Sequence, residues 1–150
     1  MRWRANQFAN PVQAVVQAVV DTNVWVSAFL TPGGTAAKLL DAMYGARLVP
    51  VYSAPIEAEY RAVLTRAKFN IGAEVLADFF SNLPVMGQFE NKVPPLRLDL
   101  PDHTDAPFIA LARYARCPVI TGNTKHFPKA AGVVVLTPAQ WVAGSLLQPL

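Results

Sequence analysis

Four short apolar runs alternate with longer segments of helical spacing, and this alternation constrains the fold more than any other feature of the sequence. A strand buried on both faces has a nearly continuous apolar sequence, which is typical of parallel sheets covered by helices. The sequence therefore predicts an α/β fold: a three-layer α/β/α sandwich with a central parallel sheet. The four runs are "QAVVQAVVD" (13–21), "RLVPVYS" (47–53), "CPVITGN" (117–123) and "GVVVLTP" (132–138).

Helices are predicted between and after these runs. Segment 35–47 has apolar residues at helical spacing, with Thr35 as its N-cap. Residues 91–107 are rich in proline and predict a loop or a short edge strand, and Pro50 weakens the second strand. We expect an irregular tail over residues 1–13 and a single domain over 14–150. The other predicted helices cover residues 54–69, 71–83 and 105–116 and a short segment around Trp141.

The composition fits one soluble domain. The chain has 150 residues, of which 53% are hydrophobic and 15% charged, so a carboxylate inside an apolar stretch is informative. Cys117 is the only cysteine, which excludes an intrachain disulfide and a cysteine zinc site. Polar residues interrupt the apolar stretch before residue 30, so we expect no membrane span and a cytoplasmic protein. The formal net charge of +3 favours a nucleic-acid partner only weakly.

Acidic side chains fall where ligands bind in open α/β sheets, at the carboxyl ends of the strands. Asp21 ends the first predicted strand, Glu57 and Glu59 lie in the helix after the second, and Asp105 opens the helix before the third. Acids that meet in an apolar cleft need protons or a cation. Carboxylates without histidine or cysteine companions suit Mg²⁺ or Mn²⁺, and such an ion assists phosphodiester hydrolysis.

Helix geometry separates the two glutamates, because successive residues turn by about 100°. Glu57 and Glu59 flank the apolar face on opposite sides, and periodicity alone does not say which one points at a shared site. Simpler interpretations also exist. Asp21 could serve only an Asx-turn, Asp105 could serve only as an N-cap before Pro107, and Asn23 could cap a turn or bond the site acids.

Four segments together resemble a PIN domain, in particular the subgroup found among toxin components of bacteria and archaea. They cover most of residues 17–143: "VVDTNVWVSAF", "YSAPIEAEYRAVLTRAKF", "DHTDAPFIALARYARCPVITGNTKHFP" and "VVVLTPAQWV". The resemblance implies a metal-dependent ribonuclease, often the toxin of a toxin–antitoxin pair. It therefore implies Mg²⁺ or Mn²⁺ as cofactor, RNA as substrate, an antitoxin as partner, and a homodimer.

The resemblance also implies which acids matter, namely Asp21, Glu59 and Asp105 as catalytic residues and metal ligands. The family's glutamate lies six residues after a serine, here Ser53, which selects Glu59 over Glu57. Asn123 stands where many PIN domains have an aspartate, so we expect one well-held ion rather than two. The residues expected to support the site are Asn23, Asp102 and Thr121, and the candidate RNA contacts are Lys125, His126 and Arg61.

Two other functions remain open at this point. The asparagine at position 123 makes a catalytically weak or silent module credible, one that binds RNA or a protein partner. An aspartate-based phosphoryl enzyme is the third hypothesis, since "DTNVW" after a strand is similar to the aspartate-nucleophile phosphatases. The second aspartate of those enzymes is replaced by Asn23 here, which counts against it.

Overall fold

A parallel five-stranded sheet forms the centre of the protein. The structure, a computed structural model, describes residues 16–96, 100, 103–127 and 132–147. The strands are β1 (Val16–Val20), β2 (Leu48–Tyr52), β3 (Gln88–Phe89), β4 (Val119–Ile120) and β5 (Val135–Leu136). The α-helices are α1 (Thr22–Leu30), α2 (Thr35–Tyr44), α3 (Ala54–Leu64), α4 (Ala73–Met86), α5 (Ala106–Ala115) and α6 (Pro138–Leu147).

The strand order β3-β2-β1-β4-β5 puts β1 in the middle, with β2 and β4 as its neighbours. Val20 is in register with Ile120, so the residues after β1 and β4 leave the sheet side by side. The α5 helix packs against β1, β2 and β4. This arrangement confirms the predicted α/β/α sandwich with a central parallel sheet. It also brings the ends of β1 and β4 together at the sheet's carboxyl edge.

Proline in β2 is compatible with pairing to both neighbours, because alternate residues of a strand bond to opposite sides. The carbonyl of Arg47 accepts from Val16 in β1, whereas the carbonyl of Tyr52 accepts from Glu90 on the β3 side. Pro50 therefore faces the β3 side, where pairing starts only at Val51. The missing N–H of Pro50 therefore removes no hydrogen bond between β2 and β1.

Several boundaries differ from the sequence predictions. The prediction contained no element at α1 and no strand at β3, and α3 ends at Leu64 rather than continuing to residue 69. Thr35 is the first residue of α2 and its N-cap is Gly34, so the predicted cap is wrong. The passage from α4 to β3 is tight: a Cβ on Gly87 would lie 2.7 Å from the backbone oxygens of Leu83 and Pro50. The predicted tail at residues 1–13 lies outside the described residues.

An aromatic cluster joins three helices directly beneath the carboxyl edge. Trp25 of α1, Tyr60 of α3 and Phe79 of α4 are fully buried. The Trp25 ring centroid lies 6.5 Å from that of Tyr60 and 5.2 Å from that of Phe79, both edge-on. Edge-on aromatic pairs contribute about 0.5–1.5 kcal/mol beyond the area they bury. The cluster therefore fixes α1, which begins directly after Asp21, against α3, which contains Glu59.

Candidate active site at the carboxyl edge of the sheet

Asp21 follows β1 and is only 7% exposed. Its backbone N–H donates to Ile120 O at 2.8 Å, which continues the pairing with β4 by one residue. Its Oδ2 accepts a 2.7 Å hydrogen bond from the Thr121 hydroxyl, and its side chain makes no capping bond to α1. The carboxylate is therefore directed across the sheet edge toward β4 instead of serving a local turn.

Glu59 reaches the same edge from α3. Its Oε2 accepts a hydrogen bond from the Thr22 hydroxyl, and Thr22 directly follows Asp21 in the chain. Glu57, in contrast, forms an ion pair with Arg61 at 2.9 Å, one helical turn away. Of the two glutamates, the structure thus brings Glu59 to Asp21, and Glu57 points along the surface of α3.

The buried hydroxyl of Tyr60 lies near both carboxylates, Asp21 and Glu59. This hydroxyl donates to the carbonyl of Val20, the last residue of β1. Burial raises the pKa of the Tyr60 hydroxyl far above its ordinary value; a contact with Trp25 opposes this, and the negative charges of Asp21 and Glu59 raise it further. Both acids are therefore close enough to act on the same hydroxyl.

Asp105 precedes α5 and is 6% exposed. Its side chain makes no capping bond to that helix, which disfavours the N-cap interpretation. Its Oδ2 lies 3.2 Å from Nδ1 of His126, and Nε2 of His126 lies 3.0 Å from the Asn123 amide nitrogen. Because that amide can only donate, we assign Nε2 as the acceptor and Nδ1 as the protonated nitrogen facing Asp105.

The loop after β4 completes a continuous path of contacts. The Asn123 N–H donates to the Thr121 hydroxyl at 3.0 Å, and the Gly122 N–H donates to Oδ1 of Asn23 at 3.2 Å. Asp105 is thus connected through His126, Asn123 and Thr121 to Asp21. Glu59 joins at the other end through Thr22. The structure brings together the predicted residues Asp21, Glu59, Asp105 and Asn123 with the supporting Asn23 and Thr121.

The remaining predicted residues have other surroundings. Lys125 is exposed in the same loop as His126. Arg61 lies with its guanidinium 4.3 Å from the Phe80 ring centroid, between α3 and α4. Asp102 lies outside the described residues. Sequence reasoning missed two contacts, Thr22 with Glu59 and His126 with Asp105. The position of Thr22 directly after Asp21 was an available signal, whereas nothing in the sequence indicated the pairing of His126 with Asp105.

The donor chemistry of the edge fits a hard divalent cation, because buried carboxylate oxygens from separate elements are the ligands such ions prefer. Asp21 and Asp105 are both buried, although their side chains contact polar groups of Thr121 and His126. Within the described part of the chain, no three acidic, histidine or cysteine side chains converge closely enough to hold an ion. The carboxylates instead accept hydrogen bonds from threonine and contact histidine. Residues whose chemistry suits a divalent cation are therefore present, and in this structure their side chains contact other protein side chains.

This fold and edge define a class: a three-layer α/β/α protein with acidic residues at the carboxyl ends of the central parallel strands. The PIN domain family model matches residues 17–125. The chain belongs to the PIN domain family.

Among solved structures, the crystal structure of FitAcB from Neisseria gonorrhoeae is similar in fold, with a TM-score of 0.53 and 22% sequence identity. The match covers 81% of this chain and 98% of that one. None of the curated proteins compared with this chain matches it.

Among the described residues, no helix is both long and apolar enough to span a membrane.

Proposed function

We propose that this protein is a metal-dependent endoribonuclease that uses Mg²⁺ or Mn²⁺ and acts as the toxin of a toxin–antitoxin pair. One observation carries the proposal. Two buried carboxylates, Asp21 and Asp105, are far apart in the sequence and are linked by a path of contacts through Thr121, Asn123 and His126. Burial of acids costs free energy unless a partner or a cation stabilises them, so their retention in an apolar edge favours a functional role.

The roles follow from the positions of the side chains. Asp21, Glu59 and Asp105 would hold the ion, and Asn123 would hydrogen-bond the reacting groups. A divalent ion held by these residues would supply activation of water and stabilisation of the charge that develops on a phosphoryl group. Asn23, Thr121 and, from outside the described residues, Asp102 would support the acids. Lys125, His126 and Arg61 would contact the RNA backbone, because cationic and hydrogen-bonding side chains dominate phosphate recognition.

Membership of the PIN family supports a nuclease at the level of class, and the toxin assignment rests on the resemblance of the sequence motifs to the toxin subgroup. A toxin of this type would act in the cytoplasm, would pair with an antitoxin protein and would form a homodimer.

A second candidate is a catalytically weak or silent PIN module that binds RNA or a protein. Two observations favour it. Asn123 offers an amide in place of a carboxylate, and within the described residues no group of three ionisable donors is arranged to hold an ion. A neutral amide attracts a cation less strongly than a carboxylate, because it carries no charge.

Cleavage of single-stranded RNA in the presence of Mg²⁺ or Mn²⁺ tests the proposal. We expect the wild-type protein to cut RNA, and Asp21→Asn and Asp105→Asn each to abolish cutting while leaving the fold intact by circular dichroism. Asp41→Asn, an exposed aspartate on α2, is the matched control and should cut like the wild type. RNA cleavage that survives both site substitutions would reject the nuclease.

Calorimetry with Mn²⁺ separates the two candidates. The nuclease requires an ion that binds to the wild-type protein and is lost in Asp21→Asn. A protein that binds RNA but takes up no Mn²⁺ at millimolar concentration is the silent module instead.

A further inference from the structure

A mainly apolar cleft lies beside the candidate active site. Its volume is about 390 Å³, which falls in the range of roughly 300–1,000 Å³ that is usual for small-molecule sites. The start of α3, the loop after β3 and the first turns of α5 form its walls. Pro55, Val93, Pro94 and Ala110 supply apolar surface, and Ser53, Glu90 and Asn91 are the polar residues of the described lining.

Glu90 is held in a defined position within this cleft. Its N–H donates to Tyr52 O at 2.9 Å, which anchors the backbone to the end of β2. Its Oε2 accepts a 2.6 Å hydrogen bond from Nε2 of Gln88, and Oε1 of Gln88 accepts a 2.6 Å bond from Gln17. A carboxylate has about four acceptor positions, so one bond to Gln88 orients the group and leaves capacity for a ligand.

The cleft adjoins the acidic edge through residues that neighbour the edge residues in the chain or at the strand ends. Ser53 follows β2 at the carboxyl side of the sheet and is buried, and it lines the cleft. Ala106 and Pro107 line it from the other wall, and Ala106 is covalently attached to Asp105. An RNA strand with one phosphate at Asp105 would therefore place its next nucleotide at the mouth of the cleft.

We propose that this cleft binds one base of the RNA substrate beside the cleaved phosphate and that Glu90 selects guanine there. The inference rests on the proposed ribonuclease function. A carboxylate only accepts hydrogen bonds, and guanine presents two neighbouring donors, N1–H and the N2 amine. Uracil presents one N–H between two carbonyl oxygens, and a carboxylate repels those oxygens. The apolar walls can contact the face of any base, so selectivity falls to the polar part of the described lining, of which Glu90 is the charged residue.

Titration of the intact protein with GMP and with UMP tests the site without requiring cleavage. We expect GMP to bind more tightly than UMP by about tenfold or more, as for a well-formed two-donor contact to a base. Glu90→Gln should remove this difference, because an amide replaces one acceptor with a donor. Glu74→Gln, an exposed glutamate on α4, is the matched control and should retain it. Ala110→Leu, which fills the cleft, should weaken both nucleotides.

Cleavage of a randomised RNA pool with Mn²⁺ gives the second measurement. The wild-type products should be enriched in guanine at one fixed position from the cut, and the products of Glu90→Gln should lose that enrichment. Equal binding of GMP and UMP, or guanine preference that persists in Glu90→Gln, would overturn the inference and leave the nuclease in place. Selective GMP binding by a protein that cuts no RNA would instead reject the nuclease and retain the base site.

Discussion

The hydroxyl of Thr121 donates a 2.7 Å hydrogen bond to Oδ2 of Asp21, although 100 residues separate the two positions in the chain. The contact exists because β1 and β4 are neighbours in register and both end at the same edge. Thr121 is fully buried and also accepts the N–H of Asn123. One side chain therefore connects the first acidic residue of the site to the loop that carries Asn123 and His126.

Thr121→Val tests this connection. Valine has nearly the same shape but removes the donor to Asp21 and the acceptor for Asn123. Leaving buried polar partners unsatisfied costs about 1–3 kcal/mol, so we expect the free energy of unfolding in urea to fall by that amount. RNA cleavage should fall as well, because Asp21 loses its orienting bond. The control is Thr65→Val, an exposed threonine that bonds only its own helix, and it should stay within about 0.5 kcal/mol.

Glu59 and Glu57 form a matched pair two residues apart on α3. Glu59→Gln should lower RNA cleavage on the order of 100-fold, because groups that hold or orient a metal typically contribute that much. Glu57→Gln removes an ion pair whose arginine side chain is 54% exposed, and surface pairs contribute about 0–1 kcal/mol. It should therefore cut RNA like the wild type. Equal losses in the two variants would contradict the assignment of Glu59.

Asn123→Asp adds a fourth acid to the edge. The amide of Asn123 lies 3.0 Å from His126 Nε2, so the substitution exchanges a donor for an acceptor in the same place. Calcium-binding loops tune affinity through the charge count of their ligands, and we expect Mn²⁺ affinity measured by calorimetry to rise about tenfold. Unchanged or weaker Mn²⁺ binding would show that position 123 does not face the ion.

The reactivity of Cys117 should respond to pH in a defined direction. Burial raises the pKa of its thiol from 9.0 to about 11, and only the thiolate reacts. Labelling of the native protein by a disulfide reagent should therefore be slow at neutral pH and rise toward pH 11. In urea the midpoint should return toward 9. Since the native state keeps a proton that the unfolded state loses, Cys117 also destabilises the fold as pH rises from about 9 to 11. Cys117→Ala should remove that loss.

Alkaline pH should act on Tyr60 in the same sense. The folded pKa of Tyr60 is raised, so the stability it contributes is complete below the unfolded value of 10.0 and declines above it. Tyr60→Phe should therefore lower stability at pH 7, because the bond to Val20 O is lost, and should flatten the decline above pH 10. Tyr114→Phe, at a tyrosine that is 46% exposed, should change neither. A decline that is equally steep in Tyr60→Phe would exclude this residue as its cause.

Much of the architecture follows from local chemistry and was predictable. Continuous apolar runs indicated strands buried on both faces. Helical spacing indicated the segments that contain α2, α3 and α5 and the segment 71–83, which covers all but the last three residues of α4. The missed elements had weak local signals. Strand β3 has two residues, and the apolar residues of α1 lie on all sides of the helix, so neither shows a clear period. Boundaries also shifted, because the surrounding packing decides where a helix frays.

The sequence by itself determined which acids end strands and open helices, because a charged residue in an apolar run can be recognised without knowing what it contacts. Only the tertiary structure decided what Asp21, Glu59 and Asp105 touch, whereas the Glu57–Arg61 pair is local to one turn of α3. Glu59 meets Thr22 because packing of Trp25 against Tyr60 sets the rotation of α3 against α1. Asp105 meets His126 across the ends of two elements. Such contacts depend on strand order and register, which arise from the whole core and leave no signature in a short stretch of chain.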